Sequence, residues 1–442
     1  MIATLGLLSS PLLPATVSAQ PRPAPDSASL EALIAVATAS SPTLRAARFR
    51  VDAMRSRVGP AGLRPDPMLT VGLRDFPASR PGFYDSFTMK MVGVRQTIPY
   101  PGKLGRDRRI ATREVEASEA AVTVTRLDVI RDVQRAYYEI AFTDRALDVV
   151  NRNRDLLVDV VKVADSRYGV GQGGQQDVLR ARIEAGRLGE QAVTLIEQRR
   201  AALARLNAVL DRPVETPLVG AEVPGRIARA AVADSAGQVR FVSATLGARA
   251  ANSPLPPVDA LTTMALDASP MLREAQATIA AQTTRVERAG KEHLPDFEVA
   301  FDYGQRRGFT DLVTATVAIP IRLQRRARED QLSAAARADL AALESELAAR
   351  RNAIRAEVVR LSADLERQRT QLALYKTAII PQGRAALTSS LASYQVGRVE
   401  FLPVLETQAT LFNYETECFR VLTDFATTLA ELERVVGREI LP

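Results

Sequence analysis

Tyr168-Gly169-Val170-Gly171, followed by Asp177-Val178-Leu179, recurs as Tyr394-Gln395-Val396-Gly397, followed by Pro403-Val404-Leu405. The offset is constant at 226 residues (168 to 394, 179 to 405) and runs without a gap to Leu203 and Leu206, which match Leu429 and Leu432. A gap-free correspondence of this length within one chain marks a duplicated structural unit. The duplication reaches back to the start of each half, where Ser41-Pro42-Thr43-Leu44-Arg45 matches Ser269-Pro270-Met271-Leu272-Arg273. Further on, Pro65-Asp66 matches Pro295-Asp296, and Ile98-Pro99 matches Ile319-Pro320. Each half therefore reads as helix, short strand, short strand, long helix, turn, helix.

The periodicities place these elements. An apolar stripe predicts a helix from Ser29 to about Gly59, stopped by Pro60, Pro65 and Pro67. Leu69, Val71 and Leu73 alternate with Thr70 and Gly72, and Phe87, Met89 and Met91 alternate with Thr88 and Lys90, which predicts two strands with unlike faces. From Lys103 to about Ser166 there is no proline, and apolar residues repeat at helical spacing. Such a helix is far longer than the usual ~10–14 residues and needs partner helices along its length. Gly169–Gly174 reverses the chain into a second helix, Gln175–Asp211, giving an antiparallel hairpin. The second half predicts helix Ala260–Lys291, strands Phe297–Tyr303 and Leu312–Ile321, and a long helix Arg326–Ile380 bent or broken at Pro381. A turn near Gly397 and a last helix, Leu402–Val436, complete it. The first repeat thus spans 29–211, with strands within about 67–99 and a tip at 168–174; the second spans 260–442, with strands within 297–321 and a tip at 394–400. Between them, 212–259 is a proline-rich linker with a short helix near Gln238–Arg249.

Composition agrees with long helices. Of 442 residues a quarter are charged, 5% are aromatic and none is Trp. The net charge of +7 comes from arginines spread along helices, without the aromatic-interleaved basic cluster that nucleic acid would require. Cys418 is the only cysteine, so no internal disulfide forms and no multi-cysteine metal site exists. His293, the only histidine, is read as a junction residue without chemistry. No cofactor is implied, and no set of acids, bases and nucleophiles converges as an enzyme would need. Residues 1–19 resemble a secretory signal peptide, with Val17-Ser18-Ala19 as a small-x-small cleavage site but no Lys or Arg ahead of the apolar run; 20–28 is an extended tail.

No other stretch offers the ~20 apolar residues of a transmembrane helix, so a membrane crossing must use strands. The strands are about ten residues long, near the ~9–11 that cross a bilayer. Four strands cannot close a barrel, and an open sheet edge is not tolerated in lipid. Several chains must therefore pool their strands; three would give twelve, an even number, although two or four chains also satisfy that rule. The fold class expected is mainly helical with membrane strands, a β-barrel continued by a helical tube.

This organisation resembles the TolC family of outer-membrane efflux proteins over nearly the whole chain, from about Ser29 to Gly437. The residues that carry the resemblance are the paired Ser-Pro-x-Leu-x-x-Ala at 41–47 and 269–275, Gln96–Lys103 (Gln-Thr-Ile-Pro-Tyr-Pro-Gly-Lys) and the paired Tyr-x-Val-Gly turns. The resemblance implies a homotrimer embedded in outer-membrane lipid with a helical tunnel across the periplasm. It also implies docking on a periplasmic adaptor and an inner-membrane pump of RND type, and no catalysis. It places Tyr168, Val170, Gly171, Tyr394, Val396 and Gly397 at the periplasmic tip that meets the adaptor. It assigns Glu406 and Asp177 to acidic positions of the pore, with Pro403 standing where an acid is often found, and Arg398 to a gate contact. Pro99–Lys103 resembles the heavy-metal branch, which makes metal cations or small toxic compounds the expected cargo.

Other readings follow from the same residues. A type I secretion duct shares the architecture, and a soluble coiled-coil scaffold would account for the long helices but not the four alternating segments. Gly169-Val170-Gly171-Gln172-Gly173-Gly174 satisfies the dinucleotide spacing, but it follows a helix rather than a strand, and Gly173 and Gly174 have no counterpart in the second repeat.

Overall fold

A computed structural model of the protein describes residues 29–77, 82–83, 85–171, 173–232, 255–321, 323–324 and 326–441. The expected signal segment, the tail at 20–28 and the short helix near 238–249 lie outside the described residues.

Each repeat opens with two helices where the periodicity predicts one. Helix α1 (Leu30–Ser40) is followed by α2 (Pro42–Ala61). After the linker, which carries the short α5 (Gly225–Ala230), α6 (Val258–Ala268) is followed by α7 (Pro270–Ala289). At both breaks a serine, Ser41 or Ser269, leaves the helical conformation with ψ of 124° or 120°. The next residue is proline, which cannot donate an N–H to the helix behind it but fits the first position of the helix ahead. The apolar stripe continues across the joint, which is why the periodicity alone does not show it.

The long hairpins form as predicted. Helix α3 runs from Lys103 to Gly169, 67 residues or roughly 100 Å. Helix α4 (Gln175–Val209) returns beside it. In the second repeat α8 (Glu329–Leu374) widens into one π turn, Tyr375–Ile379, before α9 (Ile380–Gln395). At Pro381, where a bend or break is expected, the helix widens locally instead of ending: the π turn accommodates the proline ring and its missing donor just ahead of it, and the rod continues. Helix α10 (Phe401–Val436) completes that hairpin.

Strands β1 (Met68–Arg74), β2 (Met89–Ile98), β3 (Phe297–Gln305) and β4 (Leu312–Ala318) form one antiparallel sheet in the order β1-β2-β3-β4. The two repeats meet at its centre, where Val94 faces Phe301 and Val92 faces Tyr303. Within the described residues β1 and β4 each have a partner on one side only.

The largest core lies part-way along α3, where both repeats and the linker converge. Leu33 of α1, Tyr138 of α3, Leu206 of α4, Leu361 of α8 and Phe425 of α10 are all buried there. Nearer the turns, Val160, Ala181, Leu387, Phe401 and Val404 form a smaller cluster joining the two hairpins.

Candidate functional site at the helical tip and the strand sheet

The two turns are local copies of each other. Gly171 and Gly397 both have φ of +71°, a region open to glycine but costly for residues with a Cβ. Gly171 N–H donates to the Tyr168 carbonyl and Gly397 N–H to that of Tyr394, each at 3.0 Å. Val170 and Val396 are exposed at the apex of both.

The tyrosines before them differ. Tyr168 is 49% exposed, Tyr394 only 3%. The Arg167 guanidinium lies 4.6 Å from the centroid of the Tyr394 ring and hydrogen-bonds the Tyr394 carbonyl, while the Phe401 ring packs at 5.2 Å on the same tyrosine. Burial and the nearby negative charge of Asp177 push the Tyr394 hydroxyl above its ordinary pKa, against the opposing charge of Arg167. Of the tip residues expected to meet an adaptor, Tyr168, Val170, Gly171, Val396 and Gly397 lie at the protomer surface, but Tyr394 does not. Its ring fills the space between α3 and α10 and sets the shape of the turn.

Asp177 is half-buried in the first turn of α4, where the helix dipole favours an acid. Glu406 is exposed on α10, on the side where Leu402 and Pro403 are also exposed, opposite the buried Phe401, Val404 and Gln408. Arg398 is exposed just after the second turn, with its N–H bonded to the Ser393 carbonyl at 2.9 Å and no ion pair among the described residues. In the isolated chain these three do not meet one another.

At the other end, the register sorts the sheet into two faces. Leu69, Val71, Leu73, Val92, Val94, Val299, Phe301, Tyr303, Val313 and Val317 share one face. Thr70, Gly72, Gly93, Arg95, Glu298, Asp302, Thr314 and Thr316 share the other, where Arg95 and Glu298 pair at 3.3 Å. The first face is exposed and, apart from Lys90, Gln96 and Gln305 towards its ends, apolar, the pattern of a surface turned to lipid; the second is mainly polar and small, with Met68, Met89, Met91 and Leu312 towards its ends, the pattern of a barrel interior. Among the described residues no helix is long and apolar enough to cross a membrane.

The profile of the outer membrane efflux proteins matches residues 33–212 and 261–438, both repeats almost in full. The chain belongs to the outer membrane efflux protein family. It is an outer-membrane efflux channel and not an enzyme. Among characterised relatives, the cobalt-zinc-cadmium resistance protein CzcC of Cupriavidus metallidurans is 22% identical over 423 residues, covering 95% of this chain and 92% of its own. The fold is similar to the outer membrane protein VceC of Vibrio cholerae, with a TM-score of 0.72 at 17% identity over 93% of this chain and 96% of that one. It is similar also to the transmembrane channel CusC, with a TM-score of 0.71 at 14% identity over 92% of each chain.

Two parts of this efflux protein escape a reading of motifs. Arg167 has Ser393 as its counterpart in the second repeat, so duplication conceals it rather than marking it. Lys103, quoted above only as part of a motif, is 1% exposed and donates from Nζ to Asp296 Oδ1 and to the Leu294 carbonyl, both at 2.8 Å. Tyr100 N–H donates to the same carboxylate oxygen at 2.8 Å. The carboxylate just before β3 thus fastens the chain where it leaves β2 and enters α3. The recurrence of Pro65-Asp66 as Pro295-Asp296 draws attention to the carboxylate but not to its partners.

Proposed function

We propose that three copies of this chain pool their strands into a twelve-stranded barrel, with the helical hairpins side by side as a tube that carries cargo from an inner-membrane pump to the outside. The observation that carries this reading is the sheet itself. Its apolar face needs lipid, and its two edge strands leave backbone groups that lipid cannot satisfy. Closure through neighbouring copies removes both edges. Helix α8 supports the same reading, because Leu332 and Val359 lie exposed along a rod that one protomer does not cover.

The tip then meets a periodic ring of adaptor through Tyr168, Val170 and Val396, while Gly171, Gly397 and Tyr394 set its shape. Three copies of Glu406, with Asp177 nearby on the first hairpin, line the narrowed end and favour cations. The cargo we infer is metal cations, delivered by an RND-type pump. This rests on Pro99–Lys103 and on the likeness to CzcC, whose name states cobalt, zinc and cadmium resistance. Among the described residues no group of three or more His, Cys, Asp or Glu side chains is placed to hold a metal ion.

Two measurements test this. Outer-membrane fractions run unheated on denaturing gels should show an oligomer that heating converts to monomer; a soluble monomer refutes the barrel. A deletion strain should gain sensitivity to cobalt, zinc and cadmium. Unchanged metal tolerance with gained drug sensitivity moves the cargo to organic compounds.

A further inference from the structure

The repeat makes the unseen seam between copies readable, because the sheet already contains one seam of the same kind. Inside the chain β2 of the first repeat pairs with β3 of the second. In a ring, β4 of one copy pairs with β1 of the next, and these strands are the repeat counterparts of β2 and β3. This inference rests on the pooled-barrel reading above.

The internal seam is latched at one end by a carboxylate. Asp296 precedes β3 and takes hydrogen bonds from Tyr100 N–H and Lys103 Nζ, just beyond β2. Its counterpart before β1 is Asp66, which is exposed and has no ion pair among the described residues. The counterpart of Tyr100 is Ile321, immediately after the Ile319-Pro320 pair. The counterpart of Lys103 is Gln324, a neutral amide, but Arg326 and Arg328 follow, both exposed and without ion pairs among the described residues. The helix starts agree with an unfilled latch. Helix α3 begins at Lys103, whereas α8 begins only at Glu329, five residues beyond the counterpart of Lys103 (324 to 329).

We propose that Asp66 of one copy is the latch of the subunit seam, accepting Ile321 N–H and the charge of Arg326 or Arg328 from a second copy of this chain. The same correspondence fixes the strand register across the seam. Setting Asp66 beside Pro320, as Asp296 lies beside Pro99, puts Leu69 opposite Val317, Val71 opposite Ala315 and Leu73 opposite Val313. Thr70 then faces Thr316. Every apolar-face residue meets an apolar-face residue, although the register was drawn from the motifs alone. A slip of one residue would turn lipid-facing side chains into the lumen. The β1–β2 and β3–β4 hairpins differ by two residues from strict equivalence, so the Pro-Asp and Ile-Pro pairs flanking the seam, and not the hairpins, set the register.

The test uses the full chain in outer membranes with its one cysteine removed (Cys418→Ser). Thr70→Cys combined with Thr316→Cys should give, after mild oxidation, heat-resistant dimers and trimers on non-reducing gels. Met68→Cys or Gly72→Cys combined with Thr316→Cys should cross-link far less, since a disulfide needs Cβ atoms within about 4.5 Å. Separately, Asp66→Arg should lower the temperature at which unheated oligomers fall apart, and Arg326→Asp with Arg328→Asp in that same chain should restore it. If oligomers form but the 68 or 72 pair cross-links better than the 70 pair, or Asp66→Arg leaves their melting unchanged, the latch and its register are overturned while the pooled barrel stands. If the unsubstituted chain forms no oligomer, both fall together.

Discussion

Arg384 on α9 donates from both Nε and Nη2 to one carboxylate oxygen of Glu415 on α10, at 2.9 and 2.6 Å. The glutamate side chain is only 10% exposed, so its charge is held in the helix pair by a partner that reaches in from the surface. The pair lies a few residues beyond the π turn and Pro381, which has no N–H to give to the helix behind it.

Removing the arginine should therefore cost more than removing the charge it meets. Arg384→Ala leaves a buried carboxylate without its donor, at about 1–3 kcal/mol, reduced by the solvent that reaches the arginine. Glu415→Gln keeps the shape and drops the charge, and should cost less. Protease cleavage within 375–395, compared between the two variants and the unsubstituted chain, checks the order.

The latch at the base of the barrel should respond to acid. Partial burial works against the charged form of Asp296, but the Lys103 hydrogen bond, the Tyr100 N–H and the charges of Lys103 and Arg288 outweigh it and hold the carboxyl below its ordinary range. A group depressed in this way contributes stability that is complete above its unfolded value and lost as the pH falls through its folded one, so the window lies below about pH 4. Unfolding followed between pH 6 and 3 should lose a component in that window, and Asp296→Asn should start without it. Equal acid sensitivity of both chains would remove the latch from the account.

At the tip, two glycines with one conformation have different surroundings. A Cβ at Gly171 meets nothing within 4 Å, whereas one at Gly397 would lie 3.3 Å from Arg167 Nη2. Both substitutions force a side chain into positive φ, at roughly 1–2 kcal/mol each. Gly397→Ala also presses on the arginine that covers Tyr394, so it should disturb the tip more. Cross-linking of the tip to an adaptor in cells, and metal tolerance, should fall further for Gly397→Ala than for Gly171→Ala.

If Glu406 lines the narrowed pore, Glu406→Gln should lower cation selectivity without changing the amount of oligomer. Reversal potentials in planar bilayers under a salt gradient measure this directly. Unchanged potentials would place the carboxylate on the outer wall.

Periodicity and duplication made the architecture legible because each strand and long helix repeats its own pattern. The joints at Ser41-Pro42 and Ser269-Pro270 were printed in the sequence, yet the stripe runs through them and suggests one helix. The clasp of Arg167 on Tyr394 joins residues 227 positions apart (167 to 394), and no local pattern announces it. For the same reason the alignment of Tyr168 with Tyr394 suggested equal roles, while their neighbours, an arginine in one turn and a serine in the other, gave them opposite surroundings.

That inequality reaches beyond one subunit. In the trimer proposed above the six turns would alternate, open aromatic then covered aromatic, so that rim would offer two kinds of socket in strict alternation. A ring of like partner units laid on that rim could not be bound identically at every point. It would divide into two populations, one seated on an exposed phenol and one on a shielded ring.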